Sequence, residues 1–271
     1  MPYEVIVIDH GSSKPLAAEE IQSYGDEFKY RFVQTTAVCP AQAINDACRD
    51  AAGDVLMVII DGAHILSPSI FQRYAEAFTL FSSPFVTVPA MHLGPKIQNV
   101  SVLEGYNQSA EDKLLDQSAW RENGYRLYTI SRDFADKGQG WFGFPYESNC
   151  FALRKADYLA LGGFDPRFEL PGGGLVNLDF YNRAISTPQL HYVVVLGECT
   201  FHQFHGGVAT NTPKAQHPWA RLAEDYARIR GRPFQQVLRK AYFLGALPQE
   251  ALSISRTSME HGERLWGQLK A

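Results

Sequence analysis

The chain has 271 residues, a formal net charge of −4, 45% hydrophobic residues and 20% charged residues. That length suits one large domain or two small ones, in an ordinary globular composition. The charge balance excludes a bulk nucleic-acid binder, which carries a basic stripe.

Val5-Ile-Val-Ile8 is a continuous β-branched run that ends at Asp9-His-Gly-Ser-Ser13. Such a run predicts a buried parallel strand stopping at a turn. A helix from about Leu16 to Tyr24 follows, then a short strand at Tyr30–Val33. Pro40 to Ala52 is alanine-rich with apolar residues at helical spacing, and Gly53 reads as its C-cap. Val55–Ile60 predicts another buried strand, ending at Asp61-Gly-Ala-His64. Ser67-Pro68 opens a helix toward Phe81, with proline at its first turn. Phe85–Val88 is the next strand. Strands alternating with helices imply a doubly wound sheet, in which ligands bind beyond the carboxyl ends of strands. Asp9 and Asp61 both occupy such ends.

Farther on, Asn107–Asp116 reads as helical and Gly138–Pro145 as an aromatic loop. Ser148–Leu153 and His191–Leu196 read as strands, and Thr210–Pro218 as a mobile polar loop. From Trp219 onward the pattern is mostly helical, with breaks at Gly231–Pro233 and Gly245–Pro248. Cys39, Cys48, Cys150 and Cys199 are scattered without a Cys-x-x-Cys pair, as expected for buried thiols of a reducing compartment. No signal-peptide pattern opens the chain, and the strongest apolar run is too short for a transmembrane segment. The expectation is a soluble cytoplasmic protein, with homo-oligomerisation left open.

Three blocks, in order over roughly residues 3–208, resemble the family 2 glycosyltransferases. The first is Glu4-Val-Ile-Val-Ile-Asp9-His-Gly-Ser-Ser13. The second is Ala43-Ile-Asn45, then Gly53-Asp, a strand, Asp61-Gly-Ala-His64 and Leu66-Ser-Pro68. The third is Gly162-Gly-Phe-Asp165, then Gly172-Gly-Gly174 and Asn177-Leu-Asp179-Phe-Tyr-Asn-Arg183. The resemblance implies a GT-A-like α/β domain over residues 1–210, a doubly wound mixed sheet. Residues 211–271 would add the mobile loop and a C-terminal helical extension. Family members usually begin with one further strand and helix, and this chain starts at what looks like the second strand.

The implied activity is transfer of a sugar from a nucleotide-diphosphate sugar to a hydroxyl acceptor on a glycan, lipid or small metabolite. Asp9, Gly11, Ser12, Asn45 and Asp61 fall at donor-binding positions. A divalent ion, Mn²⁺ or Mg²⁺, would bridge the diphosphate as a Lewis acid. Its implied ligands are Asp61 with His64 or His205, with His202 as the alternate to His205. Ala63 replaces the second carboxylate of the family's Asp-x-Asp. The remaining carboxylate and imidazole suit Mn²⁺ or Zn²⁺ better than Mg²⁺. Asn177 stands where the family's base stands, and an amide cannot take a proton at neutral pH. Asp179 or Glu147 then becomes the candidate base. Trp141, Phe144 and Asn177 fall on the acceptor side, where aromatic faces suit sugar rings.

Plainer readings stand beside these. Asp9 can end its strand as an Asx turn, and Asp61 and His64 can cap a loop without metal. Asp179 can pair with Arg183 at i,i+4. The aromatic loop can be core or lid packing. The substitutions at Ala63 and Asn177 also fit a catalytically degenerate relative that binds a sugar nucleotide or glycan, or scaffolds a partner.

Overall fold

The computed structural model describes residues 2–60, 63–134, 140–143, 145, 149–207 and 211–267. The fold is mixed α/β with open mixed sheets. The chain begins with β1 (Val5–His10), α1 (Ala18–Gln22), β2 (Phe28–Val33), α2 (Ala41–Asp50), β3 (Val55–Ile59) and β4 (His64–Leu66). There follow α3 (Ile70–Leu80), β5 (Pro84–Thr87), β6 (Ala90–Leu93), α4 (Gln98–Ser101), α5 (Gln108–Ser118) and β7 (Ser131–Phe134). Next come β8 (Cys150–Arg154), α6 (Lys155–Ala160), α7 (Val176–Ser186), β9 (His191–Leu196) and β10 (Thr200–His202). The last elements are α8 (Trp219–Arg230), β11 (Tyr242–Gly245) and α9 (Leu252–Trp266). Among the described residues, no helix is long and apolar enough to cross a membrane.

Two compact units form. The first comprises Met1–Leu56, Leu153–Phe180 and Ala220–Phe234. In it β1 and β2 pair in parallel, from Val5 opposite Phe28 to His10 opposite Val33. The parallel strand expected at Val5–Ile8 is present, but all four residues are only partly buried. Among the described residues the sheet has two strands, and β1 has one hydrogen-bonded neighbour. The buried face of α2 is made of small residues, Ala41, Ala43, Ala47 and Cys48, which lets the helix approach β1 closely. The helix ends where Ala51 turns to extended backbone (φ −53°, ψ 138°), so Gly53 does not serve as the left-handed C-cap that the sequence suggests.

The second unit comprises Met57–Ala152, Tyr181–Trp219 and Gln235–Ala271. Its five-stranded sheet has the order β11-β9-β5-β8-β3. β5 and β11 run parallel to β9, and β8 runs antiparallel to β5. One face carries a core of Val86, Val88, Ala152, Val193 and Val195 against Ile70, Tyr74 and Ala77 of α3. Each fully buried aliphatic side chain of this kind contributes about 1.5–3 kcal/mol. A second sheet has the order β4-β10-β6-β7. The region read as a C-terminal helical extension contains a strand, β11, paired along the edge of β9. The reason is local chemistry: Tyr242-Phe-Leu is strand-forming, and docking it satisfies the polar backbone of β9's outer edge.

Helix starts also depart from the sequence reading. Pro68 precedes α3, whose N-cap is Ser69. A remote buried carboxylate marks that start: Glu198 accepts from Ser69 N at 3.1 Å and from Ser67 Oγ at 2.5 Å. Negative charge at a helix N-terminus is favourable. The helix expected near Asn107 is α5, capped by Asn107 through Ala110 N at 3.1 Å. All four cysteines are free thiols; three are buried and Cys39 is partly exposed.

Candidate functional site

In the first unit, the polar residues singled out from sequence are tied into the chain's own loops. Asp9 lies at the carboxyl end of β1 and is 7% exposed. Its carboxylate accepts from Ser12 N at 3.0 Å and from Tyr30 Oη at 2.9 Å. Burial alone would raise its pKa, but hydrogen bonds from Ser12, Tyr30 and Leu16 hold it below the ordinary carboxylate value. This is the Asx-type turn weighed from sequence. Gly11 makes it possible: φ is +72°, and a Cβ there would sit 2.6 Å from Thr35 O.

Asn45 holds the Gly-Gly-Phe-Asp turn. Its Nδ2 donates to Phe164 O at 2.7 Å, and its Oδ1 accepts from Phe164 N at 2.9 Å. Tyr158 Oη donates to the same Oδ1 at 2.7 Å. The glycines that allow this turn both have positive φ, +78° at Gly162 and +62° at Gly163. Phe164 is fully buried against Tyr158 and Phe180.

Beyond the turn, Arg230 of α8 gathers two carboxylates. It donates from Nε to Asp179 Oδ1 at 2.6 Å and from a terminal nitrogen to Oδ2 at 2.5 Å. Its other terminal nitrogen lies 2.9 Å from Asp165 Oδ2. Hydrogen bonding from Arg167, helped by the charge of Arg230, pulls the Asp165 carboxyl down to about 2. Asp179 is 2% exposed. Asn177 accepts from Leu178 N at 2.9 Å.

The second unit contains a row of histidines. His202 on β10 stands opposite His64 on β4 and opposite His92 on β6. Residues at one register share a sheet face. The rings follow suit, with centroids 5.0 Å apart for His64–His202 and 5.3 Å for His92–His202. His205 adds a fourth ring, its Nε2 lying 3.1 Å from His202 Nε2. Burial holds His92 neutral, with its pKa lowered to about 4.

Buried polar residues shape this row. Gln98 is fully buried and bonds the backbone and ring of His202. Glu111, 2% exposed, accepts from Tyr106 Oη at 2.8 Å and from Phe204 N with both oxygens, at 3.0 and 2.9 Å. Burial pushes the Glu111 carboxyl up, opposed by those two donors and by nearby His205. Asn211 accepts from His205 N at 3.2 Å and Gly207 N at 2.8 Å, tying down the start of the loop read as mobile. Sequence reasoning missed Gln98, Glu111, His92 and Asn211. Only His92 left a signal there, as an imidazole inside the apolar run Ala90–Leu93.

Trp141 is fully buried; its indole donates to Glu198 O at 2.7 Å and its ring packs on Tyr128. That is the packing role weighed for the aromatic loop. Asp61, Phe144 and Glu147 lie outside the described residues. Among the described residues, no group of three or more His, Cys, Asp or Glu side chains is arranged to hold a metal ion. Comparison of the chain with protein-family models and with curated proteins finds no match.

Proposed function

We propose that the chain is a GT-A-like glycosyltransferase of the family 2 type. It would transfer a sugar from a nucleotide-diphosphate sugar to a hydroxyl acceptor on a glycan, lipid or small metabolite. One observation carries the reading. Asn45, from the second resembling block, binds the backbone of Phe164 in the third, 119 residues away. Two segments identified separately in sequence thus form one structural unit, as related blocks of one fold would.

In this reading Asp9, at the end of β1, accepts hydrogen bonds from the donor's base or ribose. Gly11 and Ser12 build the turn that presents it, and Asn45 acts through the Gly-Gly-Phe-Asp turn. Asp61 with His64 or His205 takes the divalent ion, Mn²⁺ or Mg²⁺, which supplies charge neutralisation at the diphosphate. Asp179 or Glu147 takes the acceptor proton. Asn177 and Phe144 belong to the acceptor side, and the fully buried Trp141 has the packing role. Four free thiols fit a cytoplasmic location.

A second reading is favoured by the Asp179–Arg230 pair. Both oxygens of this buried carboxylate are engaged by a guanidinium as in a structural ion pair, and Asn177 and Ala63 lack the groups to take over a base or metal-ligand role. The chain would then bind a sugar nucleotide or glycan without turnover, or scaffold a partner.

Calorimetry with UDP, GDP and several UDP-sugars, with and without Mn²⁺, separates these readings. Metal-dependent binding that is lost in Asp61→Ala supports the donor site. Binding without turnover across an acceptor panel favours the second reading. Absence of binding under every condition overturns both nucleotide proposals.

A further inference from the structure

We propose that Ser258, Gly262 and Trp266 of α9 are positioning residues for the acceptor side, because together they clamp the main chain of Phe142 in the aromatic loop. That the loop serves an acceptor rests on the transferase reading; the clamp itself is geometry within the second unit.

The three residues stand four apart in sequence, so they share one face of α9. Each makes a different contact with the same loop residue. Ser258 Oγ accepts from Phe142 N at 2.9 Å, and Trp266 Nε1 donates to Phe142 O at 2.9 Å. Both main-chain polar groups of Phe142 are thus met by side chains 116 and 124 positions away. Gly262 lies between the two bonding residues and is buried. Its value is closeness: a Cβ there would stand 2.7 Å from Phe142 O and 2.8 Å from Phe142 Cβ, too near for any side chain. Glycine inside a helix is unfavourable relative to alanine, so the sequence bears a cost where the helix meets the loop.

The clamp is anchored on both sides. α9 follows β11, which is paired along β9, and Glu250 just before the helix accepts from Asn123 Nδ2 at 2.8 Å. The Phe142 ring packs on Phe243 of β11 with centroids 5.5 Å apart, and Phe243 packs on Trp266 at 6.0 Å. On the loop side the preceding residue, Trp141, is fixed in the core through Glu198 O. Two consecutive residues are therefore held, one by the core and one by α9, and Phe144 follows two positions later in the sequence. Loops ordinarily leave their backbone to water. Burying area alone would need only apolar contacts. Paired bonds to a loop's main chain fix its conformation, the support that a binding loop requires.

The test uses Ser258→Ala and Trp266→Phe, which each remove one bond, and Gly262→Ala, which keeps both bonding side chains and adds only the crowding methyl. Met259→Ala, at an exposed position of the same helix, is the control. Amide hydrogen exchange of the full chain should speed up by about tenfold at Phe142 in the three clamp variants and stay unchanged in the control. Calorimetry then measures UDP with Mn²⁺ and, separately, p-nitrophenyl glycosides as acceptor probes. Glycoside affinity should fall by about tenfold in the clamp variants while UDP affinity holds. A merely structural role would lower both affinities together with the urea midpoint. Unchanged exchange at Phe142, unchanged glycoside affinity, equal losses of both affinities, or a wild type that binds no glycoside would each overturn the proposal. Clamp-dependent glycoside binding in a protein that binds no UDP leaves this assignment standing while the transferase reading falls. UDP binding with clamp-independent glycoside binding does the reverse.

Discussion

The Asp9–Asn45–Asp179 region of the first unit and the histidine row of the second treat buried polarity in opposite ways. In the first unit every candidate group is answered by a donor of the opposite kind. Asp9 has Ser12 and Tyr30, Asn45 has Phe164 and Tyr158, and Asp179 has Arg230. In the second unit like stands beside like, imidazole against imidazole, oriented by Gln98. Carboxylates follow the same division. Asp9 and Asp165 are held low by their donors, whereas burial pushes Glu111 up. A polar group with complementary partners serves the fold. A row of like groups is held in register by the sheet and by buried amides such as Gln98.

The contrast can be broken at its strongest contact first. Arg230→Ala removes both guanidinium bonds from the buried Asp179 carboxylate and should cost about 3 kcal/mol or more in urea-unfolding stability. Adding Asp179→Asn should recover part of the loss. If Arg230→Ala is as stable as wild type, the pair is not structural and Asp179 regains its place as a candidate base.

Asn45→Ala comes next. It removes the side-chain bonds to the N–H and C=O of Phe164 and should cost roughly 2–3 kcal/mol. Hydrogen exchange at Phe164 should rise with it. A stable variant whose nucleotide binding alone is impaired would instead make Asn45 a direct donor ligand.

A smaller loss, about 1–2 kcal/mol, is expected for Gly11→Ala, because a Cβ is unfavourable at positive φ and crowds Thr35 O. The measurement is the shift of the urea midpoint.

The gentlest probe is pH. The depressed Asp165 carboxyl contributes stability above its unfolded value, and that contribution is lost as pH falls toward about 2. Asp165→Asn should therefore differ from wild type at neutral pH and converge with it in acid. Glu111 has the opposite sign. Its raised pKa contributes stability that is present in acid and lost as pH rises through the folded value. Glu111→Gln should flatten that loss. Identical pH profiles for the two variants would erase the division between the units.

Local pattern was enough to read the α/β class, strands at Val5, Val55 and His191, the α2 and α5 helices and the Gly-Gly-Phe-Asp turn. Each is written in side-chain periodicity, β-branching or a required positive φ within a few residues. The burial of Trp141 and the strand nature of Tyr242–Gly245 depended on neighbours far along the chain. So did the partners of Asn45 and Asp179. Arg230 lies 51 residues from Asp179, and nothing in the spacing of either announces the other. The histidine row is the clearest case. His64, His92 and His202 come from three strands, and only the pairing of β4, β10 and β6 sets them at one register. Short-range chemistry chooses the elements. Which polar groups meet, and with what tautomer or charge, is settled when the sheets form and water is excluded.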